Sequence, residues 1–264
     1  MSTVTTSKSL SEIIGSFSSA TFNEALDSRK RAVEILETKG LPAGKNEEYR
    51  FTPITRAIEN VFTWKTESAP SSITSIDPFL IEGLDANVIV FVNGKYSESL
   101  SRIVSPESEV SIKSLREAFN SNIEAVNTNF NTFVNPEADA FAALNTAFWQ
   151  DGLFVHVPAS TRVEKPIVIL HLNDAIQHQV IAHTRLLIIL ETGSKLSIIE
   201  KFDTIGEQAS LHTFTEEIEV KENAALEYCK VQNDSGKAYQ VINTNIRQAD
   251  SSRVDTFTLT LGGQ

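Results

Sequence analysis

Five histidines are the residues of this chain best suited to bind a transition metal, because a neutral imidazole nitrogen is a ligand for zinc and iron. They are His156, His171, His178, His183 and His212. The sequence contains no H-E-x-x-H motif and no paired-cysteine knuckle. In an extended strand His178 and His183 would point to opposite faces, since an odd number of positions separates them. We therefore expect solvent-facing or structural histidines and predict no metal ligands in this chain.

The acidic residues between positions 191 and 227 suggest a different chemistry. Nine acids stand there against three lysines: Glu191, Glu200, Asp203, Glu207, Glu216, Glu217, Glu219, Glu222 and Glu227. On a β-solenoid, carboxylates on one exposed face could perform sugar-lyase or glycosidase chemistry. They could instead form a solvated outer face that keeps the solenoid soluble, which is the interpretation we favour. No catalytic residue is assigned.

Cys229 is the single cysteine, so the chain has no disulfide framework. A lone thiol could carry a persulfide or a metal, but free cysteine usually behaves as a small apolar residue, and we expect that here. The net charge of -11 argues against a nucleic-acid surface, which needs a basic footprint. The apolar runs are too short to cross a membrane, and the first ten residues lack the apolar core of a secretory signal. We expect a cytoplasmic protein that binds neither nucleic acid nor membrane.

The elements that must position these residues change from helical to extended along the chain. The first 62 residues are predicted to be helical, with an apolar face of Phe22, Leu26, Val33 and Leu36, a stop at Gly40 and a second helix over residues 53–62. Residues 88–92 read as a strand, with a turn at Asn93 and Gly94 and a return strand from Tyr96. Residues 115–119 are predicted to be helical.

The clearest transition lies within residues 145–172. Asn135 and Pro136 predict the start of a helix that runs to Phe148. Asp151 and Gly152 predict its end, with the glycine in a left-handed conformation. Residues 153–157 then favour a strand, which Pro158 terminates.

Three similar phrases recur after this point and predict the architecture. Leu196, Leu226 and Val254 occupy equivalent positions, thirty and twenty-eight residues apart. A near-constant period of this size indicates stacked turns of a β-solenoid, although a β-sandwich with similar hairpins is the alternative. Residues 255–261 alternate as a half-buried strand close to the end of the sequence. We therefore expect a truncated solenoid whose open edge allows self-association.

Three segments of the chain resemble the SufB/SufD family of iron–sulfur cluster assembly scaffolds, and its SufD branch more closely. The first covers residues 41–52, Leu-Pro-Ala-Gly-Lys-Asn-Glu-Glu-Tyr-Arg-Phe-Thr. The second consists of Asn145, Ala147, Phe148, Asp151, Gly152, Val157, Pro158, Lys165, Pro166 and Ile167. The third runs from residues 191–200 through Tyr228, Val231 and Gln232 to Leu261, Gly262 and Gly263.

This resemblance implies an α+β, mainly β fold: an N-terminal helical domain with a small strand-containing segment over residues 1–150, then the first rungs of a right-handed parallel β-helix over residues 151–264. It implies a non-enzymatic scaffold that acts with a SufB-like paralogue and a SufC-like ATPase. The complex would assemble the iron–sulfur cluster, with no cofactor bound by this chain and the ATPase interface beyond residue 264. The alternatives are a carbohydrate-active β-helix enzyme and a plain β-solenoid interaction module.

Overall fold

A parallel β-solenoid forms the C-terminal part of the described chain. The computed structural model describes residues 11–15, 24–42, 49, 51–52, 54–63 and 71–263. In these ranges, a few helices in the N-terminal part precede a solenoid of about four turns. The mainly β solenoid class predicted from the sequence is therefore confirmed.

The described helices and strands have the following bounds. Residues 11–15 are helical. The later α-helices are α1 (Leu26–Lys39), α2 (Ile54–Val61), α3 (Leu115–Asn120), α4 (Glu124–Asn129) and α5 (Ala140–Phe148). The first six strands are β1 (Asn87–Val92), β2 (Lys95–Tyr96), β3 (Ser111–Ser114), β4 (Asp151–Val157), β5 (Ile167–Asp174) and β6 (Val180–Leu190). The remaining strands are β7 (Lys195–Ile205), β8 (Ser210–Val220), β9 (Ala225–Asn233), β10 (Ala238–Gln248) and β11 (Arg253–Thr260).

Two sheets face each other across the core. Sheet A has the order β11-β9-β7-β5-β1-β2 and sheet B the order β10-β8-β6-β4-β3. From β4 onward the chain alternates between the sheets, so each turn contains one strand of each. The pairs in these turns are parallel, whereas β2 and β3 add antiparallel strands at the first turn. This parallel stacking rules out the sandwich of hairpins.

The strand register confirms the repeat seen in the sequence. Leu196 pairs with Leu226, and Leu226 pairs with Val254. Leu196 and Leu226 are buried in the main core, and Val254 packs against it from the last turn. Stacking equivalent apolar residues removes their surfaces from water at every turn, which is why a loose period of about thirty residues specifies this architecture.

The helix before the solenoid ends at Phe148 as predicted, but its start and the role of Gly152 differ from the prediction. Residues 136–138 form a turn, and α5 begins at Ala140, because Asp139 caps it by accepting hydrogen bonds from the backbone N–H groups of Phe141 (2.7 Å) and Ala142 (2.9 Å). The predicted start at Asn135 and Pro136 was therefore wrong.

Gly152 does not end the helix in a left-handed conformation, so that prediction was also wrong. It lies within β4, after the helix has ended at Phe148. A Cβ atom at this position would lie 2.2 Å from the backbone oxygen of Arg185 on β6. The position requires glycine because two backbones approach closely there.

The N-terminal helices largely match the sequence pattern. Val33 and Leu36 of α1 are buried, although Leu26 is 40% exposed at its start. Gly40 ends α1 with φ of 73° and donates its N–H to the carbonyl of Leu36, as predicted. Phe22 and most of the phrase at residues 41–52 lie outside the described residues. No helix in the described ranges is long and apolar enough to span a bilayer.

The sheets continue into the part of the chain assigned to the N-terminal domain. β1 pairs in parallel with β5 over Asn87–Val92, and β3 pairs with β4. The turn at Asn93 and Gly94 and the return strand at Tyr96 are confirmed. The division at residue 150 as an independent domain boundary stays a prediction.

Candidate functional site

The interior of the solenoid changes from apolar to charged along its axis. In sheet A one inward row reads Ile89, Ile169, Glu200 and Lys230 from β1 to β9. In sheet B the facing row reads Leu153, Leu186, Glu216 and Thr244 from β4 to β10. Both rows become polar in the later turns, so the charged side chains of the two sheets meet inside the same section of the solenoid.

Lys230 is the cation at the centre of this group. Its Nζ atom donates to both carboxylate oxygens of Glu216, at 2.7 and 2.5 Å, and to Oγ1 of Thr244, at 2.9 Å. Glu200 lies 3.7 Å from the same Nζ atom. The side chains of both glutamates are fully buried, whereas that of Lys230 is 11% exposed. Two enclosed carboxylates therefore share one ammonium group.

Glu200 is held by a further set of buried partners. His171 Nε2 lies 2.7 Å from one of its oxygens, and the Tyr228 hydroxyl donates to the other at 2.7 Å. The imidazole is stacked between Phe91 and Phe202, with ring centroids 5.2 and 4.9 Å away. The aromatic stack fixes the ring, so His171 can hold the carboxylate in one orientation.

Burial and the shared cation separate the proton affinities of the two glutamates. Burial opposes ionisation of Glu200, but Lys230 and His171 outweigh it and hold its pKa at about 2. Burial, with the charge of Glu200, raises the pKa of Glu216 to about 8 despite its contact with Lys230. Burial also raises the pKa of Tyr228 well above its usual value of 10, so its hydroxyl remains neutral. We call Glu200, Glu216, Lys230, His171, Tyr228 and Thr244 the interior cluster.

The five histidines occupy different environments. His171 and His212 lie inside the solenoid, with ring centroids 5.7 Å apart. His183 is buried and its Nδ1 lies 2.8 Å from Oγ1 of Thr213, while half-buried His156 lies 3.4 Å from Glu191. His178 is exposed between β5 and β6, so the argument that placed it in a strand with His183 was wrong. Across the described ranges, no set of three or more His, Cys, Asp or Glu is placed to hold a metal ion.

The acids at positions 191–227 do not form one solvated face, contrary to the favoured interpretation. Glu200, Asp203, Glu216 and Glu217 are buried, whereas Glu207, Glu222 and Glu227 are exposed. The signal that was missed is the alternation within each strand. Leu196, Ile198, Glu200 and Phe202 share one face of β7, as Leu226, Tyr228 and Lys230 share one face of β9. An acidic residue separated from buried apolar residues of the same strand by an even number of positions points inward with them.

A second buried polar group joins sheet B to the helices. Arg185 of β6 donates to Glu217 of β8 at 2.7 Å, to Asn131 at 2.6 Å and to Thr146 of α5 at 3.0 Å. The amide of Asn145 donates to the backbone oxygens of Thr184 (3.1 Å) and Thr213 (2.9 Å). These contacts fix α5 against the outside of sheet B, which is a structural role.

Cys229 lies on the outer face of sheet A. It is half-buried and pairs in register with Ile199 and Phe257 on the neighbouring strands. An open groove of about 380 Å³ beside it is lined chiefly by apolar atoms, including those of Phe257, which is 60% exposed. The cysteine therefore belongs to an apolar strip, separate from the interior cluster.

Comparison with known proteins identifies the family. The family described as SufBD protein N-terminal region matches residues 7–169, and the SufBD core domain of the SUF system for FeS cluster assembly matches residues 171–264. A SufBD family protein of Synechocystis is 25% identical over 249 residues, which cover 90% of this chain and 54% of the relative. The cluster assembly protein SufD of Escherichia coli is 24% identical over 234 residues, covering 87% and 51%. A Staphylococcus haemolyticus relative is 25% identical over 228 residues, covering 82% and 48%.

The chain thus spans about half the length of these curated relatives. The two family regions follow each other without overlap and together cover nearly the whole chain, from the helices to the last described turn of the solenoid. The chain therefore belongs to the SufBD family, with modest support for the SufD branch.

Proposed function

We propose that this chain is part of a non-enzymatic scaffold subunit for iron–sulfur cluster assembly. The observation that carries the proposal is the consecutive match of the SufBD N-terminal region and the SufBD core domain along one solenoid. In the proposed role the cluster is cargo of the assembled complex and the chain itself binds no cofactor. We place the protein in the cytoplasm.

The proposed partners are a SufB-like paralogue and a SufC-like ATPase. A solenoid suits a subunit of such a complex because stacked turns present long, rigid surfaces to other proteins. We propose that the paralogue packs against the solenoid, and that the ATPase binds a part of the subunit beyond residue 264. The role of SufD in Escherichia coli, described as iron–sulfur cluster assembly, supports the general function.

The carbohydrate-active alternative is weakened by the positions of its acids. Glu200 and Glu216 are enclosed between the two sheets at 0% exposure, so a polysaccharide cannot reach them. Glycoside hydrolysis requires two carboxyl groups that flank a bound sugar. We therefore retain the scaffold role as the single proposal.

The proposal is tested by anaerobic reconstitution of the complex. A SufB-like and a SufC-like protein from the same source are co-purified with and without the subunit that contains this chain. The mixture then receives ferrous iron and a sulfide donor, and cluster formation is measured by visible absorbance and acid-labile sulfide. We expect co-purification and a higher cluster yield with the subunit, whereas equal yields with and without it would refute the scaffold role.

A second experiment tests where the ATPase is proposed to bind, by comparing the subunit with and without the part beyond residue 264. Residues 1–264 and the complete subunit are each mixed with the ATPase and passed over a gel-filtration column. We expect co-elution only for the complete subunit. Stable co-elution of residues 1–264 would contradict the position of the interface while leaving the scaffold role intact.

A further inference from the structure

The outer face of sheet A carries two largely apolar rows that run along the axis of the solenoid. From β1 to β11, the first row reads Val88, Val168, Ile199, Cys229 and Phe257. The second row reads Val90, Leu170, Lys201, Val231 and Leu259. Apart from one lysine, this face is therefore apolar from its first parallel strand to its last.

The chain covers the first part of these rows with residues 72–84, which we call the cover segment. Ile73, Ile76 and Phe79 of this segment pack against the outward side chains of β1 and β5. Val168 in that part of the face is only 2% exposed. The cover segment contains one 3-10 turn and no strand. An irregular segment with an apolar side chain at every third position therefore fits this face.

The same rows lie open on the last two strands of the sheet. Phe257 is 60% exposed and Leu259 is 39% exposed, and Leu261, directly after β11, is 62% exposed. Cys229 and Val231 of β9 are half-buried. We call these five residues the apolar strip. It continues the covered part of the face, but its side chains face the solvent.

The alternation of β11 is the reverse of that expected for a strand with a solvated outer face. In such a strand the apolar side chains face the core and the polar side chains face the water. The register of β11 with β9 instead places Thr256 and Thr258 at inward positions. Phe257, Leu259 and Leu261 follow the outward alternation. Large apolar residues on an outer face are typical of a surface that binds another segment.

Two acidic side chains border the apolar strip near the start of its strands. Ser197, Glu227 and Asp255 pair in one row and line the open groove beside the strip. Glu227 and Asp255 are both exposed, and like charges at paired positions of neighbouring strands repel each other. Arg253 contacts one oxygen of Asp255, whose side chain is still 51% exposed. A further cation beside the two acids would therefore reduce their repulsion.

The size of the apolar strip indicates a narrow occupant. Its five side chains expose roughly 300–400 Å² together, if a large side chain has about 200 Å² of surface. A stable pair of proteins buries about 800 Å² on each partner. The strip also spans only two strands, which lie about 5 Å apart. It is therefore too small to hold a second copy of this chain by itself, whereas a segment like the cover segment matches its width.

We propose that the apolar strip binds a short segment of another protein, with apolar side chains at every third position and a lysine or arginine that contacts Glu227 and Asp255. The bound segment continues on β9 and β11 the cover that residues 72–84 provide on β1 and β5. The proposal rests on the outer face of sheet A alone and is independent of the proposed scaffold role.

Cys229 provides the measurement, because it is the single cysteine of the chain and lies within the apolar strip. The rate at which a maleimide labels this thiol is followed in residues 1–264 with a synthetic peptide added. The peptide has the sequence of residues 72–84 with Asp77→Lys and Glu82→Lys. We expect labelling to slow as its concentration rises to about 1 mM, and the unmodified acidic peptide to protect less. An unchanged labelling rate, or equal protection by both peptides, would overturn the proposal.

Variants of the strip locate the binding of the peptide. F257T removes the largest side chain of the strip and keeps a residue suited to a strand, and it should weaken binding by about tenfold. E227Q should weaken binding by about twofold to threefold through the lost charge. The matched control is I103T, which removes an apolar side chain that is 43% exposed outside the strip, and it should bind like the wild type. Equal affinities of F257T and I103T would contradict binding at the strip, and E227Q tests the same surface if F257T does not fold.

Two other results would assign the apolar strip to a different occupant. Slower labelling of Cys229 without peptide, as the concentration of residues 1–264 is raised, would identify a second copy of the chain. Protection of the thiol in the complete subunit, without any added protein, would identify another part of the same subunit. Either result would overturn the proposal of a segment from another protein.

Discussion

Replacing Arg185 by methionine should destabilise the solenoid by about 3 kcal/mol, because it leaves a buried carboxylate without its cation. The side chains of Arg185 and Glu217 are both 0% exposed and lie 2.7 Å apart. The same guanidinium donates to Asn131 and Thr146, so it also connects β6 to the segment before α5 and to α5 itself. Methionine keeps most of the length of the arginine stem and removes these contacts.

The magnitude follows from what Glu217 retains. Removing one partner of a buried ion pair costs about 3–5 kcal/mol. Glu217 still accepts hydrogen bonds from the backbone N–H groups of Asn131 at 3.0 Å and Phe133 at 3.1 Å. These two hydrogen bonds stabilise part of the carboxylate charge, so we expect a loss of stability at the lower end of the range of 3–5 kcal/mol. The double variant R185M/E217Q removes the charge as well and should lose only about 1–2 kcal/mol.

Urea unfolding at pH 7, followed by circular dichroism, measures these differences. The matched control is R253M, which breaks an exposed pair between Arg253 and Asp255, where the side chains are 75% and 51% exposed. An ion pair this exposed is screened by water and contributes little to stability, so this variant should be nearly neutral. If R185M costs no more than R253M, or if the double variant is less stable than R185M, the buried-charge argument is wrong.

Three further predictions concern the contacts around sheet B. The G152A variant should lose about 3 kcal/mol of stability in thermal unfolding, because its Cβ would lie 2.2 Å from the backbone oxygen of Arg185; a loss below 1 kcal/mol would contradict the close approach. The N145A variant should lose about 1–3 kcal/mol of stability, because the backbone oxygens of Thr184 and Thr213 lose their hydrogen-bond donor. The same change should loosen α5, which faster amide hydrogen exchange in residues 140–148 would show. Unchanged exchange would refute this. Burial lowers the pKa of His183 to about 3, so the neutral ring stabilises the fold above pH 6.5, and this contribution is lost as the pH falls toward 3. The free energy of unfolding of H183Q should therefore depend less on pH in this acid range than that of the wild type. An identical pH dependence of the two proteins would argue against burial of a neutral ring.

The repeating part of the fold could be predicted from the sequence because each turn places apolar residues at equivalent positions facing the core. Leu196, Leu226 and Val254 were aligned by the similar phrases in which they stand, and the strands pair them in that register. The turn at Asn93 and Gly94 was predictable for a similar reason, since its residue types allow the positive φ angles of 50° and 78° found there.

Contacts between distant segments could not be predicted in the same way. Gly152 has the sequence context of a helix stop, yet its glycine is required by the backbone of Arg185 on another strand. Asn135 and Asp139 are both residue types that commonly cap the start of a helix, so residue type alone does not decide which of them caps α5. Asp139 accepts the two backbone N–H groups of the first turn, while Asn135 forms a separate turn with Glu137.

By itself, the sequence determined the stacked architecture, through residue types at a regular spacing, and indicated the family, through the resemblance of three segments to its known members. The inward direction of Glu200, Glu216 and Lys230 was also present in the alternation of their strands. Only the tertiary structure brought these three residues from two sheets into one enclosed space. Their proton affinities depend on distances across that space and on the exclusion of water, and neither quantity follows from the order of residues in a strand.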